Sequence, residues 1–149
     1  MQHAVVGAHV DHLAPVLVRL VELLVALGDQ EVRRRVGSYL VAEGEETLVG
    51  RLGQRLRENG WTLATAESCT GGLVGQMITS VSGASDYYLE GFVTYSNRAK
   101  MERLGVQGST LDRHGAVSAE CAAEMARGAR ERTGSDAALS ITGIAGPGG

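Results

Sequence analysis

The sequence predicts an α/β domain, layered α/β/α around a largely parallel sheet and preceded by a helical leader. Three observations carry this. Short apolar, β-branched segments alternate with amphipathic ones throughout residues 61–149, the order that builds a parallel sheet with helices on its faces. Residues 12–28 place Leu13, Val16, Leu17, Leu20, Leu24 and Leu27 on one helical face. The 149 residues, 44% hydrophobic and 21% charged, suffice for a single moderate core. Residues 1–45 are assigned to the leader and linker, and residues 46–149 to the α/β domain.

Gly28 and Asp29 end the leader helix, and "QEVRRRVGSYL" reads as a second short helix or a linker. "EGEETLVGRLGQRLRENG" is amphipathic through Leu48, Leu52 and Leu56, with acids first and arginines later, as the helix dipole favours. Gly60 is its natural stop. "WTLATA" is a strand, and a helix follows from about Gly71 to Thr79. "GFVTYS" (91–96) is a second strand, leading into the short helix "NRAKMERLG" with Ser96 or Asn97 as its cap. "AVSAECAAEMARGARERTG" is a long helix capped by Ser118 and followed by Gly134. "AALSIT" is the third strand and runs into "GIAGPGG". Ligands of such sheets bind beyond the carboxyl ends of the strands. Segments 67–72, 95–100 and 142–149 all fall there.

A net charge of -3 argues against nucleic acid as the partner. Asp11, Arg19 and Glu22 interrupt the apolar leader, which reads as neither a bilayer span nor a signal peptide, so no membrane partner and a cytoplasmic location are expected. Cys69 and Cys121 make no disulfide framework, and Cys121 reads as core. His3, His9, His12 and His114 lack metal-ligand spacing, so neither a metal nor a cofactor is expected. Thirteen of the fourteen Lys and Arg residues are arginine, and Lys100 is the exception.

"ESCTGG" sets Ser68, Cys69 and Thr70 directly before Gly71 and Gly72. A serine between a strand and a helix sits where backbone N–H groups near Thr70–Gly72 stabilise an oxyanion; the alternative is a helix-capping cluster. Tyr95 and Lys100 lie five residues apart in "TYSNRAK". A lysine whose pKa is lowered by burial or by nearby cations serves as the base for a serine hydroxyl, with a tyrosine relaying the proton or holding the amine. The alternative is a surface lysine and a core tyrosine. Cys69 competes as nucleophile, since a thiolate is intrinsically stronger. "SITGIAGPGG" suits a phosphate- or carboxylate-binding loop, or a plain turn; it has neither the P-loop ending nor the full dinucleotide pattern.

"LATAESCTGGLVGQMIT", "GFVTYSNRAKMERLGV", "LDRHGAVSAECAAEMARGAR" and "SITGIAGPGG", in that order, resemble successive motifs of the CinA C-terminal domain family. The resemblance implies a nicotinamide-nucleotide amidase that converts nicotinamide mononucleotide to nicotinic acid mononucleotide and ammonia in pyridine nucleotide recycling. It implies Ser68 as nucleophile, Lys100 as base and Tyr95 as their assistant. Thr70, Gly71, Gly72, Thr142, Gly143, Gly146 and Gly148 are then expected to bind the nucleotide. Long family members carry an N-terminal domain resembling molybdopterin-binding proteins, and family domains continue past "GIAGPGG". The domain is therefore expected to be incomplete at its C-terminus, and a homo-oligomer is expected. The rival expectations are a non-catalytic nucleotide-binding module and a cysteine hydrolase built on Cys69.

Overall fold

The computed structural model of the chain describes residues 6–7 and 46–146. The predicted leader helix over 12–28, the segment "QEVRRRVGSYL" and Gly148 lie outside the described residues.

Helix α1 (Leu48–Asn59) starts at Thr47, whose hydroxyl accepts the Gly50 N–H at 3.0 Å and so satisfies an otherwise orphaned donor. The chain then enters strand β2 (Leu63–Glu67), every residue of which is buried. It lies between two parallel neighbours, β3 (Tyr88–Val93) and β4 (Ala137–Ile141), with Glu67 in register with Val93 and Ile141. Strand β1 (Val6–Gly7) adds a parallel pairing to the outer side of β4, giving the order β1-β4-β2-β3. The leader therefore contributes a strand that the sequence pattern did not suggest; two residues are too few to show a period.

β3 begins three residues before the predicted strand and stops before Thr94. Thr94 still donates its N–H to Glu67 O at 2.8 Å, and the chain then turns toward α3 (Asn97–Leu104). Ser96 is the cap, its hydroxyl accepting the Ala99 N–H at 3.1 Å. Helix α2 (Leu73–Thr79) starts later than predicted because Gly72 sits at φ 103°, outside the helical region. Helix α4 (Gly108–His114) was unassigned in the sequence. Its cap comes from Glu124, which accepts the Gln107 N–H at 2.7 Å and the Thr110 hydroxyl at 2.6 Å. Glu124 lies on α5 (Ala119–Thr133), the long helix capped by Ser118 as expected.

Side chains of β2 alternate between two cores. Ala64 and Ala66 meet Leu104, Val106, Cys121, Met125 and Ala129 on the α5 face. Leu63 meets Leu56, Ile78, Ala84 and Tyr87 on the other. Burying a side chain such as Met125 or Ile78 is worth about 1.5–3 kcal/mol. Small residues let the layers close: a Cβ on Gly128 of α5 would collide with the Leu104 carbonyl at the end of α3. This is the predicted α/β arrangement, with the ends of β2, β3 and β4 opening on one side. No helix among the described residues is long and apolar enough to cross a membrane.

Candidate active site

Ser68 is the first residue past β2 and is only 6% exposed. Its N–H continues the parallel ladder by donating to Ile141 O at 2.9 Å, so the end of β4 anchors its backbone. Lys100 projects from the first turns of α3 and is 1% exposed. Its Nζ donates to Ser68 Oγ at 2.9 Å, to Thr94 O at 2.9 Å and to Tyr95 O at 3.1 Å. All three partners are neutral oxygens. Burial pushes the Lys100 amine below its ordinary pKa, and the Cys121 and Cys69 thiols oppose this only in part.

That geometry leaves a neutral amine one group from which it could take a proton. A neutral amine keeps two N–H donors and one lone pair. The Thr94 and Tyr95 carbonyls have no proton to give, so the lone pair has one partner with a transferable hydrogen, the Ser68 hydroxyl.

Tyr95 enters the site through its backbone. Thr94 is buried and Tyr95, the next residue, is 68% exposed; the carbonyl oxygen is what reaches Lys100. Among the described residues the Tyr95 hydroxyl, expected as a proton relay, makes no hydrogen bond to Lys100 or Ser68.

The turn after Ser68 is more committed than the sequence suggested. The Gly71 N–H donates to Ser68 O at 3.1 Å, and the Gly72 N–H goes to Glu67 Oε2 at 3.1 Å. These two donors, expected for an oxyanion, are engaged. The Cys69 and Thr70 N–H groups have no hydrogen-bond partner among the described residues. Thr70's hydroxyl is buried and lies by the Glu67 carboxylate, short of full hydrogen-bond geometry but close enough to favour its charged form.

The third segment joins the first at Gly143, where a Cβ would lie 3.1 Å from Cys69 Sγ. Thr142 donates its hydroxyl to Ala116 O at 2.7 Å, tying the loop to the approach to α5. Gly146 is exposed at φ 101°, a backbone conformation open to glycine. Cys69 is half-buried. Among the described residues no three His, Cys, Asp or Glu side chains cluster as metal ligands would.

Glu67 was not singled out in the sequence, yet it is 1% exposed and adjacent to Ser68. The visible signal was an acid at the end of an otherwise apolar strand. Its distance from the helix start, outside the usual capping position, hid its partners.

The model of the CinA C-terminal domain matches residues 45–149. A CinA-like protein of Geobacter sp. (strain M21) is 60% identical over 119 residues, covering 80% of this chain and 29% of that protein. One of Chloroherpeton thalassium is 53% identical over 118 residues, covering 79% and 28%. The chain thus spans less than a third of the length of these relatives. Among solved structures, a competence-damaged protein (CinA) superfamily protein from Escherichia coli superposes with a TM-score of 0.68 at 38% identity, covering 77% of this chain and 70% of that one. A competence/damage inducible protein from Agrobacterium tumefaciens gives a TM-score of 0.64 at 42% identity, covering 72% and 68%. Sequence, fold and the order of the motifs agree: this chain belongs to the CinA C-terminal domain family.

Proposed function

We propose that this domain is an amidohydrolase that deamidates nicotinamide mononucleotide to nicotinic acid mononucleotide and ammonia through a Ser68–Lys100 pair. The observation that carries the reading is the 2.9 Å contact between Lys100 Nζ and Ser68 Oγ in a pocket of neutral acceptors. Ser68 Oγ attacks the carboxamide carbon as its proton passes to the neutral amine of Lys100. The resulting ammonium gives that proton to the departing nitrogen, and ammonia leaves an acyl-Ser68. Water then attacks the acyl group, losing its proton to Lys100 and returning Ser68 to the hydroxyl form. The Cys69 and Thr70 N–H groups are the free donors for the oxyanion. The loop carrying Thr142, Gly143, Gly146 and Gly148 takes the nucleotide. The chemistry uses water and no cofactor, and a cytoplasmic homo-oligomer is part of the same reading.

Ammonia release from nicotinamide mononucleotide, followed in a coupled assay, tests this. Ser68→Ala is expected to abolish release and to keep nucleotide binding, while Cys69→Ala keeps most of the turnover. The reverse pattern moves the reaction to the thiol. Binding without release in the unsubstituted domain makes it a nucleotide-binding module.

A further inference from the structure

Glu67 is an acid with almost no access to water, and its hydrogen bonds explain how it stays charged. Oε2 accepts the N–H groups of Gly72 at 3.1 Å and Val74 at 3.0 Å, and Oε1 accepts that of Gly75 at 2.8 Å. Burial pushes its carboxyl up, but the Thr70 hydroxyl and these three N–H groups outweigh burial and leave it below the ordinary carboxylate range. A helix is usually capped by the residue just before it. Here the cap reaches back across the whole nucleophile turn, from the last residue of β2 to the first turn of α2. One side chain therefore clamps both ends of the segment that carries Ser68. It also absorbs the donors at the helix start that would otherwise compete for a developing anion.

We propose that Glu67 is a positioning residue for the reaction: its buried carboxylate sets the Ser68–Gly71 turn so that Ser68 Oγ meets Lys100 while the Cys69 and Thr70 N–H groups stay free for the oxyanion. This rests on the serine–lysine reading above. It differs from a purely structural role in what it makes the turn do. A misplaced turn slows attack on any acyl donor, whereas a loss of stability alone leaves the folded fraction at full speed.

The test uses two readouts on the same protein. Ammonia release from nicotinamide mononucleotide gives kcat and KM, and the burst of p-nitrophenolate from p-nitrophenyl acetate reports acylation of Ser68 without a nucleotide. Glu67→Gln keeps the shape but turns an amide N–H2 toward backbone donors. It is expected to slow the burst by about 100-fold, as a small displacement of reacting groups does, with KM little changed. Should Glu67→Gln not fold, Glu67→Asp keeps the charge but is one methylene too short, and the same loss is expected. Thr65→Val, on the same strand, breaks the 2.6 Å Thr65–Tyr88 hydroxyl pair; it should lower Tm and leave the burst rate of folded protein intact. A folded Glu67→Gln or Glu67→Asp with the unsubstituted burst rate overturns the proposal. So does a Thr65→Val that slows the burst equally, or failure of both Glu67 variants to fold, which makes the residue structural. A normal burst without ammonia release removes the nucleotide substrate and leaves the positioning role to stand on the burst. An unsubstituted domain with no burst overturns both.

Discussion

Lys100→Arg keeps a cation at the centre of the site and removes the property the proposed chemistry needs, an amine that can give up its proton and accept one from Ser68. Arginine stays protonated below a pKa of about 12. The guanidinium would also have to fit where one nitrogen now meets three oxygens within 3.1 Å, in a pocket that leaves Lys100 1% exposed. Loss of a positioned general base costs about 10²–10⁴ in rate. At about 1.36 kcal/mol per factor of ten, that is about 2.7–5.4 kcal/mol of barrier. Lys100→Arg and Lys100→Ala should therefore both fall into this range in kcat for ammonia release. In the unsubstituted domain kcat/KM should rise with pH to a plateau, and the midpoint should lie below the ordinary lysine value of about 10.4 because burial disfavours the ammonium. Stability carries the same signature. Between the depressed folded value and the ordinary one, the unfolded chain binds more protons than the folded one, so stability rises with pH through that window. Below both values the folded protein carries the full cost of the buried charge. Lys100→Met removes it, so urea unfolding should show the variant gaining on the parent as pH falls. Retention of most turnover by Lys100→Arg would refute the base assignment and leave Lys100 a positioning cation.

Tyr95→Phe should keep kcat close to the parent value, because Tyr95 touches Lys100 through its carbonyl and its ring is exposed. A loss of tenfold or more (about 1.4 kcal/mol) in the ammonia assay would return the hydroxyl to the proton path. Gly128→Ala forces a methyl onto the Leu104 carbonyl, backbone that cannot swing aside. The expected cost is about 1–3 kcal/mol, read as a lower urea midpoint with no change in m. An unchanged midpoint would mean that α5 and α3 separate freely.

The alternation of strands and helices was legible in the sequence because β2 and β4 are short apolar segments set between amphipathic ones and α5 carries its own cap and stop. Ser118 and Gly134 bracket α5 as expected. What escaped was long-range. α4 draws its cap from Glu124, and β3 gives up its last predicted residues because Thr94 and Tyr95 turn their carbonyls to Lys100. Ser68 was legible from its residue type and its place at a strand end, and Lys100 as the lone lysine in the helix after the next strand; the structure brings the two side chains together. Which backbone donors remain free was not legible, since that depends on a carboxylate accepting N–H groups five to eight residues away.

The scarcity of lysine in this chain turns the centre of the site into its own reporter. Lys100 is the sole lysine in the sequence. Reductive methylation with ¹³C-formaldehyde therefore labels two amines, the chain terminus and Lys100, and one NMR signal follows the amine of interest through its titration. A lysine-specific endoprotease likewise has a single bond to cut, Lys100–Met101, inside α3. Cleavage requires that α3 lift from the end of the sheet, so the rate of appearance of two fragments measures how often the site opens, and a ligand seated against Ser68 should slow it.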